Sequence, residues 1–316
     1  MVQVLEQPPR KPPKLNKGDR IGIISPGRWM SNEDLAKTSQ RLQSLGYSPQ
    51  LHEQNFRRLH QFAGSDDERA AALQYMLCDP TLKAVMFAKG GYGTLRVIDR
   101  LDFDCLADAP KIVIGFSDAT ALLLALRSQA NLVTYHGPML YDLIPGIDRD
   151  TWRWFESMLV NGERVKLSFD SPRDARVLRS GGGEGELFGG NLTLLVNLLG
   201  TRTDFSTDGR ILFLEDSEEH YYSIDRMMVH LKRAGKLSKL AGLIVGQMSK
   251  ILDDTIPFGY TIDEIILQHC ENTDFPIVMG FPFGHGNKQL PMPIGVRGIL
   301  TASHSHADFV IDSAVS

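Results

Sequence analysis

The chain of 316 residues predicts an α/β fold: an N-terminal, mostly parallel α/β sandwich followed by a C-terminal α/β domain with a mixed sheet. Three observations predict it. Apolar runs of strand length alternate with helix-like segments, the pattern of βαβ units. The length corresponds to about two domains. One apolar run, Ile112-Val113-Ile114, ends in Gly115-Phe116-Ser117-Asp118 and passes at once into an Ala- and Leu-rich helix pattern, which places a serine at the carboxyl end of a strand.

Arg20 to Ser25 reads as a buried strand ended by Pro26-Gly27. Asn32 to Leu45 is helical in pattern and stops at Gly46, because glycine readily takes the left-handed conformation that ends a helix. Ser48 to His52 is a second strand, and Ser65-Asp66-Asp67-Glu68 is a capping box opening a helix to Leu77. Ala84 to Ala88 is a strand broken by Gly90-Gly91-Tyr92-Gly93, and Thr94 to Asp99 is a short helix. The Ser117 strand and its helix to Gln129 follow, then a strand from Leu132 to Tyr135 ending at His136-Gly137-Pro138. Tyr141 to Ser180 breaks the alternation, holding a Trp-containing helix (Thr151 to Val160) and then charged, Pro-containing sequence up to Gly181-Gly182-Gly183. The expected organisation is therefore a domain at 1–140, a connection at 141–186 and a second domain at 187–316.

In the second domain Gly189-Gly190-Asn191 leads into a helix from Leu192 to Leu199. Ile211 to Leu214 is a strand ending in Glu215-Asp216, Ser223 to Ala234 an amphipathic helix closed by Gly235, and Leu240 to Val245 a strand. Thr261 to Cys270 is helical, and Ile277 to Met279 is a strand before Gly280-Phe281-Pro282-Phe283-Gly284-His285-Gly286. Gly295 to Leu300 and Asp308 to Ile311 are the closing strands.

Composition excludes several classes. A net charge of −4 argues against nucleic acid as the main partner. No apolar run approaches the roughly 20 residues that span a bilayer. Met1 to Gly18 is rich in Pro and Lys and lacks the apolar core of a secretory signal. Cys78, Cys105 and Cys270 are scattered, odd in number and without metal spacing, which suits a reducing compartment. A cytoplasmic protein is expected.

Four loops at strand ends can carry chemistry: Gly90-Gly91, Ser117, Glu215 and His285. Serine before a helix is also a common N-cap, and the hydrolase elbow G-x-S-x-G is incomplete here because Ala119 stands at its last position. A nucleophilic serine needs a base, and the base needs a group that orients it. His285 between two glycines and Glu215 at a strand end can fill those roles in an order that triads use, although each alone reads more readily as a structural residue. Backbone N–H groups of Gly90-Gly91 and of Asp118 can form an oxyanion hole. The Gly-rich loop lacks the Gly-Lys-Ser/Thr of a phosphate loop. His304-Ser305-His306 with Asp308 has metal-like spacing but fits a solvated turn.

Taken together, Gly90-Gly91-Tyr92-Gly93, Gly115-Phe116-Ser117-Asp118, His136-Gly137-Pro138, Gly189-Gly190-Asn191-Leu192, Leu214-Glu215-Asp216 and Gly284-His285-Gly286 stand in an order that resembles the LD-carboxypeptidases, over Lys17 to Val310. These serine peptidases are also called muramoyltetrapeptide carboxypeptidases. The resemblance implies a Ser117-Glu215-His285 triad, Gly91 and Asp118 as oxyanion-hole N–H donors, and Gly90, Tyr92 and Phe188 as substrate contacts. It further implies an active site at the domain interface, no cofactor or metal, a homodimer, and a murein peptide with a terminal D-amino acid as substrate, with no nucleic-acid or membrane partner. A branch that resembles the microcin C immunity peptidases cleaves aminoacyl-nucleotide conjugates and tends to carry a base-stacking Trp before Gly-Gly-Asn. Phe188 stands near that position and no Trp does, which favours the cell-wall substrate.

Overall fold

The computed structural model describes residues 8–107, 109–146, 148–171 and 175–316; the opening Met1 to Gln7 lies outside them. Along the chain run β1 (Arg20–Ile24), α1 (Asn32–Ser44), β2 (Ser48–Leu51), α2 (Asp66–Cys78), β3 (Ala84–Phe87), β4 (Ile112–Gly115), α3 (Thr120–Gln129), β5 (Thr134–His136) and α4 (Arg149–Phe155). Next come β6 (Val165–Asp170), β7 (Arg176–Arg179), β8 (Gly181–Asn191), α5 (Leu192–Asn197), β9 (Ile211–Ser217) and α6 (Tyr221–Arg233). The last elements are β10 (Gly242–Ser249), α7 (Ile262–His269), β11 (Ile277–Gly284), β12 (Met292–Ile294), β13 (Arg297–Ser303) and β14 (His306–Ile311).

The chain forms two compact units. The first comprises residues 8–163 with 290–294 and 314–316. Its six-stranded sheet has the order β12-β5-β4-β3-β1-β2. The strands β2, β1, β3, β4 and β5 are parallel, and β12 joins β5 antiparallel. The strand order reverses between β1 and β3, and the crevice outside the carboxyl ends at such a point is where open parallel sheets bind ligands. Ser31 caps α1 by accepting from Asp34 N–H, and Ser65 and Glu68 cap α2 reciprocally. Residues Thr120 to Arg127 of α3 are buried on every side, which its nearly continuous Ala and Leu sequence allows.

The second unit comprises residues 164–289 and 295–313. Its eight-stranded sheet has the order β6-β14-β13-β8-β9-β10-β11-β7. The strands β8 to β11 are parallel, whereas β6, β14 and β13 form an antiparallel flank on β8, and β7 is antiparallel to β11. The mixed sheet expected for the C-terminal domain is present. The buried face of α6 follows the spacing Ile224, Met227, Met228, Leu231.

Residues 141–186 do not form a connection. Up to Glu163 they belong to the first unit, and from Arg164 they build β6, β7 and most of β8. The glycines read as a linker are strand residues chosen for close packing. A Cβ on Gly183 would lie 1.7 Å from the Ala241 carbonyl oxygen, and one on Gly185 2.1 Å from that of Gly209. The helix expected over Thr94 to Asp99 is two 3-10 turns, Thr94–Arg96 and Ile98–Arg100. The cysteine reading is also corrected. Cys78 and Cys105 form a disulfide with Cα atoms 5.5 Å apart, leaving Cys270 as a buried thiol, so cysteine usage no longer argues for a reducing compartment. No described helix is long and apolar enough to cross a membrane.

Candidate active site

Ser117 follows β4 and has φ +60°, a left-handed backbone rarely adopted outside glycine. Phe116 before it is extended, and the 3-10 turn Ser117–Ala119 after it runs into α3. This is the sharp strand-to-helix elbow that presents a nucleophile. The Ser117 side chain caps nothing, since neither the turn nor α3 has a side-chain capping bond, and the N-cap reading gives way. Ala119 is accommodated at the elbow's last position because residue 115 is glycine: a Cβ on Gly115 would lie 2.8 Å from Ala119 Cβ. The Gly137 N–H donates to the Gly115 carbonyl at 3.0 Å and ties the ends of β4 and β5 together.

The turn after β3 lies against this elbow. A Cβ on Gly90 would sit 3.3 Å from Ser117 Cβ and 3.5 Å from Oγ. Two buried charges hold the turn. Asp118 accepts from Gly93 N–H at 3.2 Å, Thr94 N–H at 2.9 Å and Thr94 Oγ1 at 2.7 Å. Burial pushes the Asp118 carboxyl above its ordinary range even though these bonds pull it down. Arg69 of α2, fully buried, donates to the carbonyls of Gly93 (2.9 Å) and Pro26 and pairs with Asp66. Sequence reading gave Asp118 a backbone role or a share in capping the helix, not this link to the turn, and missed Arg69. The available signal was a cation beside Ala70, Ala72 and Leu73 on the buried face of α2. Gly91 and Tyr92 are exposed on the same turn.

The second unit holds a carboxylate–imidazole pair. Glu215, on β9, is fully buried, and its Oε2 lies 2.7 Å from His285 Nδ1. Burial raises the Glu215 carboxyl, and the bond to His285 and one from Asn191 oppose that shift. Asn191 ends β8 directly opposite Glu215. Its side chain also caps α5 by accepting from Leu194 N–H and donates to Asp216 at 2.8 Å. Gly284 makes the pair sterically possible. It has φ +100°, and a Cβ there would stand 2.7 Å from Glu215 Oε2 and 2.8 Å from Glu215 Cβ. The register of β10 against β11 shifts between Val245 and Gln247. Such bulges re-aim a strand beside a site.

The structure thus brings Ser117, Asp118, Gly90 and Gly91 together in one unit and Glu215 with His285 in the other. Phe188 is corrected: it is 1 % exposed, with Phe205 at 4.6 Å between ring centroids and Arg210 at 4.8 Å over its face, so it offers no surface for stacking. His306 bonds Asp170 and Asp308, and among the described residues no group of His, Cys, Asp or Glu could hold a metal. An imidazole bonded through Nδ1 to a buried carboxylate has a fixed orientation, takes a proton at Nε2, and is stabilised when charged.

The LD-carboxypeptidase N-terminal domain matches residues 21–137 and the LD-carboxypeptidase C-terminal domain residues 184–300. The chain is 35% identical over 309 residues to the probable murein peptide carboxypeptidase of Bacillus subtilis (strain 168), covering 97% of this chain and 95% of the relative. It is 26% identical over 262 residues to the microcin C7 self-immunity protein MccF of Escherichia coli, covering 74% and 76%. The solved muramoyltetrapeptide carboxypeptidase from Oxalobacter formigenes superposes with a TM-score of 0.83 at 29% identity, over 94% of this chain and 100% of that one.

Proposed function

This chain belongs to the LD-carboxypeptidase family, and we propose that it is a serine carboxypeptidase that removes the terminal D-alanine from murein tetrapeptides. The bond cut joins an L-configured centre to that D-residue. The observation that carries the reading is the buried Glu215 carboxylate bonded to His285 Nδ1 at 2.7 Å, which makes this imidazole a base. Ser117 Oγ attacks the scissile carbonyl carbon while His285 Nε2 takes its proton. The tetrahedral oxygen is held by the N–H groups of Gly91 and Asp118. The C–N bond then breaks, His285 returns the proton to the departing amine, and D-alanine leaves. Water, deprotonated by His285, hydrolyses the acyl-serine. No metal or cofactor enters this sequence.

The test is incubation of the protein with murein tetrapeptide and, in parallel, with an aminoacyl sulfamoyl adenylate, with Ser117→Ala as control. Release of D-alanine by the wild type alone is expected. Cleavage of only the nucleotide conjugate would replace the murein substrate with a nucleotide-linked amide. Turnover of neither substrate would overturn the reading.

A further inference from the structure

Arg28 follows β1, and Gly90 and Gly91 follow β3, so they lie at the carboxyl ends of the two strands between which the order of the six-stranded sheet reverses. The Arg28 side chain lies across Gly91: a Cβ on Gly91 would be 2.5 Å from Arg28 Cδ and 2.7 Å from Cγ. Gly90, one Cα step of about 3.8 Å away, faces Ser117 Oγ. Arg28 is exposed, and its Nε donates to Gln61 Oε1 at 3.2 Å. That bond fixes the plane of the guanidinium and leaves Nη1 and Nη2 without a partner among the described residues. Nearby arginines differ: Arg69 and Arg96 both pair with Asp66. Lys89, the other cation at this strand end, has its ammonium over the Tyr141 ring at 4.5 Å.

An exopeptidase must recognise the free end of its substrate. The terminal carboxylate lies three bonds beyond the scissile carbonyl carbon, so its anchor belongs beside the nucleophile. Resting on the carboxypeptidase reading above, we infer that Arg28 is the specificity-determining residue that binds the substrate's terminal carboxylate, with Nη1 and Nη2 donating to its two oxygens. A guanidinium fork matches a carboxylate bidentately, which a lysine ammonium does not. Arg28 takes no part in bond making.

The experiment compares kcat/KM for a murein tetrapeptide ending in D-alanine with that for the same peptide ending in D-alaninamide. The wild type prefers the acid, and Arg28→Gln lowers the acid-to-amide ratio by about 10- to 100-fold, the effect of losing a charge-assisted hydrogen-bonded pair. Arg28→Lys keeps the aliphatic stem over Gly91 and gives an intermediate ratio, and Lys89→Gln keeps the wild-type ratio. A wild-type ratio in Arg28→Gln, or its loss in Lys89→Gln, overturns the inference. A second readout needs no turnover: protection of Ser117 from a fluorophosphonate by each peptide, relative to each variant's own labelling rate without peptide. Acid-specific protection in the wild type that Arg28→Gln loses supports the anchor even if neither peptide is cleaved, in which case only the proposed reaction fails. Equal protection by acid and amide in the wild type, or acid-specific protection that survives in Arg28→Gln, removes Arg28 from the role.

Discussion

A serine hydroxyl becomes a useful nucleophile only when a base takes its proton and the backbone aims it. Under the proposed reaction, Ser117→Ala lowers kcat by roughly a millionfold. Glu215→Gln keeps a hydrogen-bonding group opposite His285 but removes the charge, and lowers kcat by roughly ten-thousandfold. Steady-state rates of D-alanine release check both, and a Glu215→Gln loss under tenfold would sink the acid's role. Gly284→Ala places a methyl within 2.9 Å of the Glu215 side chain at a backbone angle that suits glycine. It is expected to cost about 1–3 kcal/mol of stability and to lower kcat, read by thermal melting and turnover of the same sample. Ser117, Glu215 and His285 stand out as candidates in the sequence because each closes an apolar run, Ser117 and His285 beside glycines. The carboxylate of Asp118 does not, because its partners Gly93 and Thr94 are distant in sequence and only the fold brings them near. Phe188 was misread because an aromatic ring beside a glycine motif serves packing as readily as recognition.

At the scale of elements, helix ends were the most legible features. The capping box read at Ser65–Glu68 forms, and the structure adds a second at Thr261–Glu264. The end of α2 carries a feature that pattern did not reveal. Lys111, just before β4, is 2 % exposed and donates to the carbonyl of Asp79, the C-cap of that helix. Burial lowers its ammonium from 10.5 to about 8. Between those values the unfolded chain binds more protons than the folded one, so this group makes stability rise with pH across that window. Lys111→Met is therefore expected to be more stable than wild type by roughly 1–3 kcal/mol at pH 7, with the difference shrinking as pH rises from 8 to 10.5. Denaturant melts at several pH values check it, and a difference independent of pH would refute it. The strands β6, β7 and β8 escaped the sequence reading because glycine and charge usually mark loops. Here the glycines admit neighbouring backbones, and the charges pair across strands, as Arg297 does with Glu184.

The whole molecule is less divisible than its sequence suggests. The Cys78–Cys105 bond closes a loop that contains β3 and the Gly90–Gly93 turn. Reduction is expected to lower stability by roughly 3–4 kcal/mol. Thiol titration of the denatured, unreduced chain should find only Cys270, and three reactive thiols would show that the bond is not formed in solution. More consequential is β12, which the chain supplies to the Ser117 sheet only after threading the parallel strands of the other unit. On the ribosome β5 emerges long before β12 does, by roughly 8–30 s at synthesis rates of about 5–20 residues per second. Through that interval the nascent half that carries Ser117 has an open edge at β5, a surface that other strands can join. The protein is thus held incomplete until nearly all of it has been made, and the late strand that finishes the sheet is also the one that covers the edge of β5.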